Sequence, residues 1–149
     1  MRRMNRRSFL KGVAGAAGVA ALPLPAIASS STIIGANEEL RLAVCGLNGR
    51  GGSHIGGFSG ISQVQIPYLV EPDEKVLDRR VRELPGKMKD RYQVKGVADV
   101  RRVLEDKSID GITVATPNHW HSLMTIWAAQ AGKHCYVEKP ASHDIYEGR

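Results

Sequence analysis

The sequence has few cysteines and few aromatic residues, and its N-terminal end has no acidic residue. Two cysteines among 149 residues exclude a scaffold held by several disulfides. Five of the 21 lysines and arginines precede residue 28, where no aspartate or glutamate occurs, and this imbalance explains most of the net charge of +6. The rest of the chain has 16 basic and 15 acidic residues. A basic surface of the kind that binds nucleic acid is therefore not expected, and we predict no nucleic-acid partner.

The basic N-terminal segment resembles a twin-arginine export signal. Residues 5–11 read Asn-Arg-Arg-Ser-Phe-Leu-Lys, and an apolar stretch rich in glycine and alanine follows as far as Leu24. The small residues Ala26 and Ala28 form a suitable signal-peptidase site, which predicts a mature chain that starts near Ser29. An uncleaved membrane anchor is the alternative interpretation. The resemblance implies recognition by the twin-arginine export machinery and a periplasmic or otherwise exported location.

The hydrophobic pattern predicts one folded domain after a signal and a linker. We assign residues 1–28 to the signal peptide, residues 29–39 to the linker and residues 40–149 to the domain. Within the domain, short apolar runs alternate with helical periodicity, which is typical of a doubly wound parallel α/β sheet. Pro67 predicts either a late start of the second strand or a bulge within it. The predicted strands are residues 40–45, 64–70, 109–115 and 134–138.

Helices are predicted between and after these strands. In the longest, every third or fourth residue is apolar, which predicts one buried face formed by Trp120, Leu123, Met124, Trp127, Ala128 and Ala131. A basic run in the second predicted helix and beyond it is interpreted as a solvated face rather than a binding patch: Arg79, Arg80, Arg82, Lys87, Lys89 and Arg91. The predicted helices are one reaching Ile55, residues 72–84, a short helix capped by Asp99, residues 120–131 and a helical start at 143–149.

The two cysteines are predicted to be free thiols. Cys45 and Cys135 fall on the first and last of the predicted strands. These correspond to strands 1 and 5 of the usual order 3-2-1-4-5-6, in which one strand separates them. That separation is about 10 Å. It exceeds the reach of a disulfide, so both residues are expected in the core.

A glycine-rich turn follows the first predicted strand. Residues 46–51 read Gly-Leu-Asn-Gly-Arg-Gly, a variant of the dinucleotide-binding fingerprint between a strand and a helix. Gly46 permits the sharp turn, and Gly51 allows helix and strand to pack closely. Backbone N–H groups at the helix N-terminus would then face a pyrophosphate. Asn48 replaces the second glycine of the motif, and neighbouring Gly49 relieves the crowding. An ordinary loop is the alternative.

Glu71 strengthens the interpretation of this turn as a nucleotide site. It lies 20 residues after Gly51, at the end of the second apolar run, where a carboxylate accepts hydrogen bonds from the adenosine ribose. A negative charge there would repel the 2′-phosphate of NADP, so the sequence favours NAD. A solvated carboxylate at a strand end is the alternative.

Two further groups of polar residues follow later strands. Residues 115–121 contain two histidines, but no third ligand with suitable spacing follows them, and we predict no metal site. A helix cap by Asn118 with His119 exposed is another interpretation of this segment.

Lys139 follows the last predicted strand, where partial burial would lower its pKa and let it polarise or deprotonate a hydroxyl. A surface ion pair of Glu138 and Lys139 is the alternative.

Residues 43–51, 115–121 and 137–140 together resemble the Gfo/Idh/MocA family of oxidoreductases. The resemblance implies a Rossmann domain, a second α/β domain and hydride transfer between a nicotinamide cofactor and a sugar or polyol hydroxyl. It implies that Lys139 is catalytic and stands near the reacting carbinol. The cofactor-binding residues that it implies are Gly46, Asn48, Gly49, Arg50, Gly51, Glu71, Thr116, Pro117, Asn118, His121 and Glu138.

The resemblance covers residues 40–149, about the first third of a typical family member. The sixth strand of the Rossmann sheet and the second domain, with its acid–base Asp and His, are not in the sequence. We therefore expect a fragment of a longer product that is inactive alone and forms a homo-oligomer at full length. The alternatives are an NAD-dependent glycosidase of the same superfamily and a non-catalytic nucleotide-binding fragment. Lys139 favours the dehydrogenase, because the glycosidase relatives tend to lack this lysine.

Overall fold

A computed structural model describes residues 39–84 and 92–149. The predicted signal peptide, its cleavage site and nearly all of the predicted linker lie outside the described residues. Within the described ranges, no helix has the length and apolar character needed to cross a membrane.

Five parallel strands form one sheet with the order β3-β2-β1-β4-β5. Each pair of neighbours is parallel, which confirms the predicted doubly wound α/β sheet. The sequence did not identify β3, because this strand has only three residues and none of them is fully buried. The strands are β1 (Leu40–Cys45), β2 (Val64–Val70), β3 (Lys95–Val97), β4 (Gly111–Val114) and β5 (His134–Val137).

Four α-helices connect the strands within the described residues. Their bounds are α1 (Arg50–Ser59), α2 (Glu74–Glu83), α3 (Val100–Leu104) and α4 (His121–Gln130). Asp73 caps α2 by accepting hydrogen bonds from two backbone N–H groups, and Asp99 caps α3 by accepting one from the Arg101 N–H. Both helix starts were predicted. A single 3₁₀ turn, Asn118–Trp120, leads directly into α4.

The core lies on both faces of the sheet. Alternate residues of β1 enter different clusters: Val44 packs on the face covered by α1 and α2, whereas Ala43 and Cys45 pack on the opposite face. Met124 and Ala128 of α4 cover that second face. The predicted coverage of both faces is therefore confirmed, and the carboxyl ends of all five strands are brought to one edge.

Two sequence ambiguities are resolved in the sheet. The register of β1 and β2 shifts where Leu42 faces both Ile66 and Pro67, so β2 has a bulge at the proline. Cys45 and Cys135 are both free thiols, as predicted. Burial raises the pKa of the Cys45 thiol above its ordinary value.

The predicted buried face of α4 is partly wrong. Met124 and Ala128 are buried, but Trp120 is 39% exposed and Leu123 is 38% exposed. His121 takes their place in the interior, where its ring nitrogens lie 2.6 and 2.9 Å from the backbone carbonyl oxygens of Pro140 and Thr116. A polar residue therefore determines which side of the helix faces inward.

The predicted helix at residues 143–149 is also wrong. This segment forms bends and one turn, in which the Asp144 carboxylate accepts a hydrogen bond from the Glu147 N–H. Ile145 and Tyr146 are largely exposed. Short helices depend on burial of an apolar face, and here no such face is buried.

Candidate functional site

The glycine turn lies at the carboxyl end of β1. Gly46 has a φ of 80°, and a Cβ atom there would lie 2.7 Å from the backbone of Ala115 and Thr116. A Cβ atom on Gly51 would overlap the carbonyl oxygen of Gly46. Both positions therefore require glycine, and Gly49, with a φ of 48°, adopts a left-handed conformation as well. The turn packs directly against the loop that follows β4.

Two side chains hold the peptide groups of Leu47 within this turn. The Leu47 N–H donates to Oε2 of Glu71 over 2.9 Å, and its carbonyl accepts from Nε of Arg80 over 2.9 Å. The Leu47 side chain is fully buried. Glu71 thus contacts the turn itself, in addition to lying where a ribose acceptor was predicted. The conformation of the turn is fixed by the protein's own side chains.

The basic run on α2 is not simply a solvated face. Arg80 reaches the Leu47 carbonyl, and Nη2 of Arg79 donates to Oδ1 of Asn48 over 3.1 Å. The sequence interpretation is therefore wrong for Arg80, whereas Arg79 is exposed as expected of a solvated face, and Lys87, Lys89 and Arg91 lie outside the described residues. Two guanidinium groups thus lie beside the glycine turn and add positive charge where an anionic ligand was predicted.

An apolar cavity of about 530 Å³ opens beside the turn. Its volume is in the range of small-molecule and cofactor sites. At its rim, the Asp99 carboxylate pairs with Nη2 of Arg101 over 2.6 Å, and this contact lowers the pKa of Asp99 to about 2. Glu71, Trp120, Met124 and Trp127 are among the other residues that line it.

A second cavity of about 450 Å³ lies between the loops that follow β4 and β5. It brings together six residues that the sequence assigned to the site: Arg50, Thr116, Asn118, His121, Glu138 and Lys139. Pro117 lines the first cavity together with Thr116. Lys139 is exposed, so the described residues do not provide the partial burial expected of a catalytic lysine.

Glu138 is the most strongly held side chain of this second cavity. Its Oε1 accepts from Nε of Arg50 over 2.7 Å and from Nε2 of His54 over 2.8 Å. These two contacts, that of His54 first, lower the pKa of Glu138 to about 2. The group is therefore a carboxylate throughout the physiological range. Arg50, predicted to contact a pyrophosphate, is 62% exposed and bonded to this carboxylate.

His121 joins the two loops of the second cavity. Its Nδ1 lies 2.6 Å from the carbonyl oxygen of Pro140 and its Nε2 lies 2.9 Å from that of Thr116. The interpretation of Asn118 as a cap is wrong, because its side chain makes no capping hydrogen bond and the 3₁₀ turn begins after Pro117. His119 is exposed, as that interpretation expected. Within the described residues, no three His, Cys, Asp or Glu side chains are grouped as metal ligands.

Comparison with known proteins identifies the family. The family described as "Oxidoreductase family, NAD-binding Rossmann fold" matches residues 40–149. The chain belongs to the Gfo/Idh/MocA family. A twin-arginine translocation signal matches residues 3–23, which confirms the predicted export signal.

Relatives and solved structures agree with this family. Glycosyl hydrolase family 109 protein 2 of Shewanella sp. (strain ANA-3) is 32% identical over 96% of this chain and 35% of its own length. A glycosyl hydrolase family 109 protein of Solibacter usitatus (strain Ellin6076) is 33% identical over 99% of this chain and 35% of its own length. The chain therefore spans about a third of the length of these curated relatives.

Two solved structures share the fold. The myo-inositol 2-dehydrogenase of Lactobacillus plantarum has a TM-score of 0.64 and 26% identity, covering 74% of this chain and 31% of that one. GenD2 from gentamicin A biosynthesis, in complex with NAD, has a TM-score of 0.64 and 25% identity over 75% of this chain and 30% of its own. This Gfo/Idh/MocA chain thus has the NAD-binding Rossmann fold of its family.

Sequence reasoning missed three residues of the candidate site: His54, Arg80 and Thr113. A signal for His54 was present, because it follows Arg50 by four residues and so lies on the same face of α1. Arg80 was assigned to a solvated face, and Thr113 was treated as part of an apolar strand. None of them belongs to a motif, and only the folded chain brings them to the turn and to Glu138.

Proposed function

We propose that this chain binds NAD along the carboxyl edge of its sheet, as the cofactor-binding part of an exported dehydrogenase. The enzyme transfers a hydride between the nicotinamide and a sugar or polyol hydroxyl. One observation carries the proposal: the ion pair of Arg50 and Glu138 joins the glycine turn to the loop that holds Lys139. The elements that would contact the two ends of a dinucleotide are thereby connected.

The glycine turn supports binding of the pyrophosphate. Side chains at Gly46 or Gly51 would fill the space next to the loop after β4, and their absence leaves a close backbone cradle. The Gly51 and Gly52 N–H groups donate to the carbonyl groups of Asn48 and Gly49, so the N–H groups of Gly49 and Arg50 would be the donors to the phosphate oxygens. Asn48, Gly49 and Arg50 complete this part of the proposed site.

Glu71 and the larger cavity support binding of the adenosine. The Glu71 carboxylate accepts one hydrogen bond from Leu47 and one from Asp73, and each of its oxygens keeps a lone pair for a ribose hydroxyl. Its negative charge disfavours the 2′-phosphate, so we propose NAD rather than NADP as the cofactor. Trp120 and Trp127 provide aromatic surface in the cavity.

The smaller cavity supports binding of the nicotinamide and its ribose. Thr116, Pro117, Asn118 and His121 would border the nicotinamide, and Glu138 would accept a hydrogen bond from its ribose. When bound, NAD supplies the hydride acceptor. The amine of Lys139 would hold and move the proton of the substrate hydroxyl.

Further properties belong to the same proposal. We propose that the signal peptide ends at residue 28 and that residues 29–39 form a linker before the matched domain, which begins at residue 40. Export through the twin-arginine route would deliver the folded protein to the periplasm. The substrate and the homo-oligomer remain proposals for the whole protein, because this chain spans about a third of its relatives.

An NAD-dependent glycosidase is the second candidate, and the names of the relatives from Shewanella and Solibacter favour it. Such an enzyme returns the hydride to its substrate, so no NADH accumulates. A dehydrogenase releases NADH in proportion to the sugar oxidised. An assay of the longer protein that follows both NADH absorbance and free sugar distinguishes the two. Because Lys139 favours the dehydrogenase, we expect NADH to accumulate.

Calorimetric titration of the 149-residue chain with NAD and NADP tests the proposal. We expect saturable binding of NAD, weaker binding of NADP and no NAD reduction when a sugar or polyol is added. Failure to bind either dinucleotide would overturn the proposed function. Turnover by this chain alone would contradict our view that the remaining machinery lies in another part of the protein.

A further inference from the structure

His54 is a buried polar side chain to which no motif assigns a role. It lies on α1, is only 6% exposed, and connects Thr113 in the middle of β4 with Glu138 at the end of β5. We propose that His54 is a positioning residue that fixes the Glu138 carboxylate so that Oε2 receives the nicotinamide ribose. This inference deepens the proposed function and rests on it.

The two ring nitrogens of His54 have different partners. Nε2 lies 2.8 Å from Oε1 of Glu138, and a carboxylate only accepts, so this nitrogen carries the proton of the bond. Nδ1 lies 3.2 Å from Oγ1 of Thr113, whose hydroxyl donates when the ring is neutral. Thr113 is 1% exposed. The acceptor-only carboxylate therefore selects the tautomer with its N–H on Nε2, and the buried Thr113 hydroxyl supports it by donating to Nδ1.

The two oxygens of Glu138 are used unequally. Arg50 and His54 both donate to Oε1, whereas Oε2 accepts no hydrogen bond from any described residue. Glu138 lines the smaller cavity, so its second oxygen is the acceptor left for a ligand hydroxyl. A ribose offers such hydroxyl donors.

The two donors differ in mobility. Arg50 is 62% exposed, and its guanidinium is free to turn toward a pyrophosphate when the cofactor binds. His54 is enclosed by protein, with its ring centroid 6.2 Å from that of Phe58 and 5.4 Å from that of Tyr136, both edge to face. His54 is therefore the less mobile of the two donors, and it would keep Glu138 in position even if Arg50 turned away.

The test compares two ligands that differ in the nicotinamide ribose. NAD contains this ribose, whereas ADP contains only the adenosine and pyrophosphate part. We expect His54→Ala to weaken NAD binding about tenfold, as for loss of a hydrogen bond to a charged group, and to leave ADP binding unchanged. His54→Gln is the conservative variant, because its amide can donate to Glu138, and it should restore most of the NAD affinity.

Equal losses for NAD and ADP in His54→Ala would show a merely structural role and overturn the inference, as would no loss for either. Thr113→Val provides a second variant if His54→Ala does not fold, since it removes the hydroxyl and keeps the side-chain shape. It should weaken NAD binding several-fold and ADP binding not at all. An unchanged NAD affinity in Thr113→Val would contradict the tautomer argument.

A carbon-13 NMR titration of the Glu138 carboxyl separates this inference from the proposed function. The groups that face this carboxyl are the charged Arg50 and the titratable His54, with Lys139 next to it in the chain. We expect its midpoint to rise toward the ordinary value in His54→Ala and to stay low in His54→Gln. An unchanged midpoint in His54→Ala would overturn the positioning role whether or not NAD binds. If the Glu138 midpoint changes as expected in the two variants but no dinucleotide binds, the proposed function is overturned while the positioning of Glu138 by His54 stands.

Discussion

The two ends of the candidate cofactor site are held by different means. At the end of β1, close backbone packing determines the geometry, because Gly46 and Gly51 leave no space for a Cβ atom. At the ends of β4 and β5, buried side chains determine it, because His54 holds Glu138 and His121 joins the carbonyl groups of Thr116 and Pro140. Backbone packing leaves a glycine motif in the sequence, whereas the hydrogen-bonded His54 leaves only its spacing of four residues from Arg50.

The largest expected effect comes from a substitution in the glycine turn at the end of β1. Gly51→Ala places a methyl group on the Gly46 carbonyl oxygen, so the turn must move, and we expect the free energy of unfolding to fall by about 3 kcal/mol or more. Denaturant unfolding of the two proteins measures this change. The matched control is Gly57→Ala in the same helix, where a Cβ atom meets nothing within 4 Å. It should stabilise the protein by about 0.5–1 kcal/mol. A neutral Gly51→Ala would contradict the packing argument.

The predictability of the two ends follows from this difference. Residues 46–51 predicted a tight turn, and the acidic residues after Pro72 and the cap Asp99 predicted two helix starts. The short β3 and the 3₁₀ turn before α4 left no clear pattern, since neither buries a continuous apolar face. The contacts of His54 and Arg80 join residues 84 and 33 positions apart in the chain, and local periodicity cannot reveal them.

Glu71→Gln separates two roles of the Glu71 side chain, namely holding the glycine turn and repelling the 2′-phosphate of NADP. The amide oxygen of glutamine can still accept from the Leu47 N–H, so the turn should persist, while the negative charge is lost. We expect the ratio of NADP to NAD affinity to rise about tenfold, which calorimetry measures. Glu71→Ala removes both roles and should also weaken binding of both dinucleotides. An unchanged ratio in Glu71→Gln would show that this carboxylate does not select the cofactor.

Arg80→Met tests whether the turn is held from α2. The substitution keeps an apolar stem and removes the guanidinium that donates to the Leu47 carbonyl. We expect a loss of about 1 kcal/mol in unfolding free energy and a several-fold weaker NAD affinity. Arg102→Met on α3 is the control, because that side chain is exposed and makes no hydrogen bond to the turn among the described residues. Equal effects of the two substitutions would show that loss of charge alone accounts for the result.

The smallest effect concerns the rim of the larger cavity. Arg101 lowers the pKa of Asp99 to about 2 from an ordinary 3.8, so the pair stabilises the folded state above about pH 4. This contribution is lost as the pH falls through about 2. The pair is exposed, and we expect the difference from Asp99→Asn to be below about 1 kcal/mol at pH 7. Denaturation across this pH range measures it, and a difference that grew on acidification would have the wrong sign.

We expect above all that one dinucleotide contacts both ends of the site. Amide NMR spectra of the 149-residue chain during titration with NAD test this directly. The account predicts shifts at the turn, Gly46–Gly51, and also at Thr116, Glu138 and Lys139, all with a single midpoint. Shifts confined to the turn, or two separate midpoints, would contradict it.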